Sequence, residues 1–106
     1  MQVLESGIEK KLSKAALSDL GIESIKIRAA GVNGWPDRIY LVPGGRPVFI
    51  EWKVPGAKPK PLQRYRQEFL RERGYNVQTF DNFADAHAYL REAAAVATSH
   101  VSKKIG

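Results

Sequence analysis

Residues 37 to 61 leave this chain little choice of fold. Asp37 to Val42 and Pro47 to Lys53 are strand-like runs, and the Pro43-Gly44-Gly45-Arg46 segment between them is rich in residues that reverse a chain. The two runs are therefore predicted to pair as a β-hairpin. Beyond them, Val54-Pro55-Gly56-Ala57-Lys58-Pro59-Lys60-Pro61 cannot extend a sheet, because its three prolines lack backbone donors and fix their own dihedrals. Asp37 and Glu51 are thus expected on neighbouring strands, with a basic loop beside them.

The flanking sequence supplies the rest of an α/β domain. Ile8, Leu12, Ala15, Ala16 and Leu20 follow helical spacing, and Gly21 is placed to stop that helix. Ile22 to Arg28 alternates as a strand with one wet face, and Gly31-Val32-Asn33-Gly34 is a loop. Leu62, Tyr65, Phe69 and Leu70 form the apolar stripe of a second helix that ends at Gly74. Asn76 to Phe80 is a short strand. Asp81 or Asn82 can cap a last helix, with Phe83, Ala86, His87 and Leu90 on its inner face. The predicted order is αβββαβα, a mixed sheet flanked by helices. Residues 1–96 form a single domain in this reading, and 97–106 a basic, flexible tail.

Composition narrows the chemistry. With 106 residues there is room for one core and no separate recognition domain, so one surface must serve both binding and chemistry. No stretch approaches the roughly 20 apolar residues of a membrane span, and the first residues lack an export signal. A cytoplasmic protein, in a bacterial or phage-infected cell, is expected. Without cysteine there are no disulfides or thiolate metal sites, which leaves oxygen ligands. His87 is expected to pack on its helix and His100 falls in the tail, so neither suggests a histidine-metal centre. A net charge of +6 favours a polyanionic partner.

Within that frame the acidic pair stands out. Strand alternation puts Glu51 and Lys53 on one face and Ile50 and Trp52 on the other, so a carboxylate and an ammonium can address one substrate atom. Ionised Asp37 and Glu51 suit Mg²⁺ or Mn²⁺, with positions left for water and a phosphate oxygen. An exposed ion pair at a sheet edge is the simpler account of Glu51 and Lys53, a turn residue that of Asp37, and a solvated side chain that of Gln63. Their combination argues for more. Lys58, Lys60, Arg64 and Arg66 are candidate phosphate contacts, and Trp35 and Tyr65 either stack on bases or pack in the core.

Gly34-Trp35-Pro36-Asp37-Arg38, Phe49-Ile50-Glu51-Trp52-Lys53, and Gln63 opening the next helix resemble the virus-type replication-repair nuclease family, VRR-NUC, of the PD-(D/E)XK superfamily. The resemblance covers roughly residues 5 to 90. It implies a restriction-endonuclease-like core, with Asp37, Glu51 and the main-chain carbonyl of Trp52 as ligands of Mg²⁺ or Mn²⁺. It also implies Lys53 as the catalytic lysine and Gln63 as a support for the site or the scissile phosphate. The family's first-helix glutamate is assigned to Glu5, because Glu9 has another explanation in a Ser6-x-x-Glu9 capping box. The implied activity is a metal-dependent DNA endonuclease, structure-selective on branched DNA such as four-way junctions and acting as a homodimer. A non-catalytic DNA-binding module, or a nuclease subunit that needs a partner, are the alternatives.

Overall fold

The computed structural model describes the backbone of residues 5–28 and 33–105, with side chains described for 7–28 and 33–96. Seven elements follow in the expected order: α1 (Glu5–Leu20), β1 (Glu23–Lys26), β2 (Arg38–Val42), β3 (Arg46–Trp52), α2 (Pro61–Glu72), β4 (Asn76–Phe80) and α3 (Phe83–Ile105).

Local chemistry sets the boundaries. Gly21, at φ +67°, donates its N–H to Leu17 O at 3.1 Å, while Ile22 N–H reaches Ala16 O at 3.0 Å. This doubly bonded stop closes α1 and turns the chain into β1. Pro43, Gly44 and Gly45 join β2 to β3, and the two glycines take φ of +92° and +73°, where a side chain would be strained. Of the two candidate caps for α3, Asn82 does the work: its Oδ1 accepts the Asp85 N–H at 2.9 Å. α3 keeps helical backbone through Ile105, so residues 97–105, expected as a tail, continue that helix.

The strands lie in the order β1-β2-β3-β4. β1–β2 and β2–β3 are antiparallel and β3–β4 parallel, which makes the sheet mixed and β3 internal. One face carries the core: Tyr40, Val42, Val48, Ile50 and Trp52 pack with Leu12 and Ala16 of α1 and Ala86 and Leu90 of α3. Each large apolar side chain fully buried here contributes about 1.5–3 kcal/mol. Inward-facing Phe83 packs against this core, and His87 bridges α3 to α1 through Asp19 at 3.0 Å. The opposite face is covered only in part, by α2, and Ile25 and Leu41 stay 54% and 44% exposed.

Tyr40 is fully buried, and its hydroxyl has no hydrogen-bond partner among the described residues. Burial pushes its phenol well above the ordinary range; Arg38 opposes this and the Glu9 and Asp37 carboxylates add to it. The folded state therefore holds that proton more tightly than the unfolded chain. The contribution of Tyr40 to stability is full below about pH 10, the ordinary tyrosine value, and is lost as the pH rises beyond it. Tyr40→Phe is expected to keep or slightly raise stability near neutrality and to flatten the alkaline loss. Urea midpoints measured against pH check this, and an unchanged alkaline slope contradicts it.

Candidate active site

The loop before β2 is shaped by close packing. Gly34 sits at φ +89°, and a Cβ there would lie 2.6 Å from Leu62 Cγ and 3.0 Å from the Leu62 carbonyl. Only glycine lets this loop press against the start of α2. Pro36 is fully buried and fixes the approach to Asp37. Asp37 is then held on both sides: Ile27 N–H donates to its carbonyl at 3.0 Å, and its own N–H donates to Ile50 O at 3.1 Å. Its carboxylate Oδ2 accepts the Trp52 N–H at 2.7 Å. A charged acceptor on a main-chain donor makes a strong bond. It holds the Asp37 carboxylate against β3, one residue from Glu51.

Glu51 departs from the simpler reading of an exposed pair on an edge. β3 is internal, and Glu51 is 3% exposed. Its neighbours Ile50 and Trp52 enter the core, so alternation turns Glu51 to the α2 side. There Gln63 Nε2 donates to Glu51 Oε2 at 3.0 Å, while Gln63 Oε1 accepts the Lys60 N–H at 3.0 Å. One side chain thus caps α2 and orients the acid. Thr79 of β4 stands in register with Glu51. Lys53 follows on the Glu51 face, half-buried, and its N–H continues the pairing to Phe80 O at 2.9 Å. It borders a hollow of about 210 Å³ shared with Thr79 and Asp81.

The inner face of α2 differs from the expected apolar stripe. Gln67 and Leu70 are the buried residues and Gln63 is half-buried, whereas Leu62 and Tyr65 are 43% and 57% exposed. The helix roofs an acidic site rather than the core, and Glu51 calls for a polar partner beneath it.

On α1 the capping-box account of Glu9 is overturned. The helix begins at Glu5, which puts Ser6 inside the first turn, and Glu9 is 5% exposed on the face of Leu12 and Ala16. Arg38 Nε and Lys26 Nζ contact its two oxygens at 2.9 and 3.1 Å, and Arg38 also donates to Ser24 Oγ at 3.0 Å. Pairing offsets the cost of burying this acid. Lys26 and Arg38 are cross-strand partners, which brings both cations to one carboxylate. Glu5 starts α1, and its side chain lies outside the described residues.

Lys58, Lys60 and Arg64 project from the loop and first turn beside the acidic pair, exposed. Arg66 is different: half-buried, it stacks on Trp35 with 4.6 Å to the ring centroid and donates to Asn33 O at 3.4 Å. Trp35 also meets the edge of Phe69 at 5.9 Å, so its ring is packed rather than presented. The carboxylates of Asp37 and Glu51 and the nearby main-chain oxygens form a hard donor set suited to a divalent cation. Among the described residues, no cluster of three or more histidine, cysteine or acidic side chains comes together.

Gln63→Ala should cost about 1–3 kcal/mol in urea unfolding, because it strips a hydrogen bond from a buried acid as well as a cap. Exposed Arg64→Ala should stay within about 0.5 kcal/mol. Equal effects of the two would contradict the double role of Gln63.

No sequence-family model matches the chain. It is 35% identical over 80 residues to "Putative nuclease p44" of Acyrthosiphon pisum secondary endosymbiont phage 1, covering 76% of this chain and 85% of that relative. Among solved structures, one described as "VRR_NUC domain" superposes with a TM-score of 0.67 at 32% identity, covering 76% of this chain and 87% of its own. Another, described as "VRR_NUC domain protein", gives 0.67 at 21% identity over 86% and 88%, a likeness of fold. With Asp37 bonded to the strand that carries Glu51, and Gln63 bonded to Glu51, on this fold, the chain belongs to the VRR-NUC family of nucleases.

Proposed function

We propose that the protein is a Mg²⁺- or Mn²⁺-dependent DNA endonuclease, selective for branched DNA such as four-way junctions and active as a homodimer in the cytoplasm. The observation that carries this reading is the Asp37 carboxylate drawn onto the Trp52 N–H at 2.7 Å, beside a Glu51 that is 3% exposed. Carboxylate oxygens held on adjacent strands are the hard donors that a divalent cation takes. Asp37, Glu51 and the Trp52 carbonyl are the residues that would hold the cation. A cation held there would supply charge neutralisation at the phosphoryl group and an activated water, consistent with direct hydrolysis without a covalent intermediate.

The remaining steps fall to the chain's own groups. Gln63 fixes the rotamer of Glu51 through its 3.0 Å bond. Lys53, on the same strand face, orients the attacking water or stabilises the charge that develops. Glu5 is the first-helix acid of this proposal, since Glu9 is engaged by Arg38 and Lys26. Lys58, Lys60 and Arg64 take phosphates along the flanking DNA.

Purified protein with labelled junction, flap and linear duplex, in Mn²⁺ or in EDTA, tests the activity. Cutting should need the metal and favour the junction. Lys53→Ala should lose about a hundredfold or more in cleavage rate while junction affinity changes little. Equal cutting of all three substrates would remove the selectivity. Junction binding by folded protein without cutting, at any Mn²⁺ concentration, would indicate a binding module or a subunit awaiting its partner.

Support for the dimer comes from the part of the sheet that α2 leaves open. Ile25, Ile39 and Phe49 are successive cross-strand partners on that face, with Leu41 alongside. A two-fold pairing through this row would set two sites against opposing strands. Light scattering after gel filtration should give twice the chain mass for wild type and the monomer mass for Leu41→Asp. A wild-type monomer contradicts the pairing.

A further inference from the structure

We propose that Arg66 is a positioning residue, clamping the loop that carries Asp37 onto α2 and so setting the separation of the two carboxylates. The proposal rests on the reading that Asp37 and Glu51 hold a divalent cation.

α2 grips the acidic pair at two places. Gln63 bonds Glu51 directly. One turn further on, the Arg66 guanidinium lies 4.6 Å over the Trp35 ring and donates to Asn33 O at 3.4 Å. Phe69 packs edge-to-face with the same Trp35 ring, and Gly34 lies so close to Leu62 that a methyl group would not fit. Residues 33 to 35 are thereby fastened to the helix whose Gln63 orients Glu51. Asp37 follows two residues later, across the buried Pro36. The spacing between the carboxylates is set by one helix as well as by the strand pairing.

This use of Arg66 differs from that of its basic neighbours. Lys58, Lys60 and Arg64 are exposed and turned to solvent, where phosphates reach them. The Arg66 guanidinium is stacked on an indole and bonded to a main-chain oxygen, and a planar fork suits both contacts at once. Supports of this kind act on metal affinity, where loss of an outer contact costs about 10–100-fold.

Mn²⁺ binding to the DNA-free protein, followed by calorimetry or by loss of the free-ion electron-spin-resonance signal, separates the two roles. Arg66→Ala should raise the Mn²⁺ Kd about tenfold, with urea midpoints confirming that the variant is folded. The Mn²⁺ concentration for half-maximal cleavage should rise in parallel, and saturating Mn²⁺ should restore most of the rate. Trp35→Leu, which removes the other half of the clamp, should reproduce this shift and gives a second route if Arg66→Ala does not fold. Wild-type Mn²⁺ affinity in both variants, with Arg66→Ala losing DNA affinity and about one unit of salt slope, would overturn the proposal and make Arg66 a phosphate contact. A wild type that binds Mn²⁺ alongside such variants leaves the metal site standing and removes the clamp alone. A wild type that binds no Mn²⁺ removes both.

Discussion

The bond from the Trp52 N–H to the Asp37 carboxylate, at 2.7 Å, is the constraint on which this molecule turns. It joins a side chain at the end of one strand to the main chain of the next, at the point where β2 and β3 would otherwise splay apart. Pro36 limits the chain's freedom just before it, and the Asp37 N–H to Ile50 O bond fixes its register. Glu51, between the two anchored main-chain groups of β3, has no latitude along the strand. The acidic pair is built first on strand pairing, which gives it a rigid base.

The sheet divides its faces by task. On one side α1 and α3 bury Tyr40, Val48, Ile50 and Trp52, and stability comes from that apolar contact. On the other, α2 presents Gln63 and Gln67 inward and covers only part of the strands. A helix with so polar an inner face contributes less hydrophobic energy. It is held instead by specific contacts, among them Gln63 with Glu51, Arg71 with the Val77 carbonyl at 3.0 Å, and the aromatic group around Phe69. Its position is therefore tied to the geometry of the acids it covers.

Much of this was legible in the chain itself. The element order, the hairpin at Pro43 to Arg46, the strand Asn76–Phe80 and the opposed faces of Ile50 and Glu51 all follow from period-two alternation and turn chemistry, which are local. Three features were not legible, for reasons of tertiary origin. The apolar stripe of α2 pointed to Leu62 and Tyr65 because helical spacing says which residues share a face, not which face meets the protein. Glu9 read as a cap because its partners Lys26 and Arg38 lie 17 and 29 residues away. Arg66 read as one more basic residue, since the ring it stacks on belongs to a distant loop.

Anomalous scattering from a crystal soaked in Mn²⁺ decides whether Asp37 and Glu51 share a cation. One strong peak is expected, contacted by a carboxylate oxygen of each acid. A saturated soak with no peak there, or with manganese bound elsewhere and neither acid touching it, would contradict the shared site.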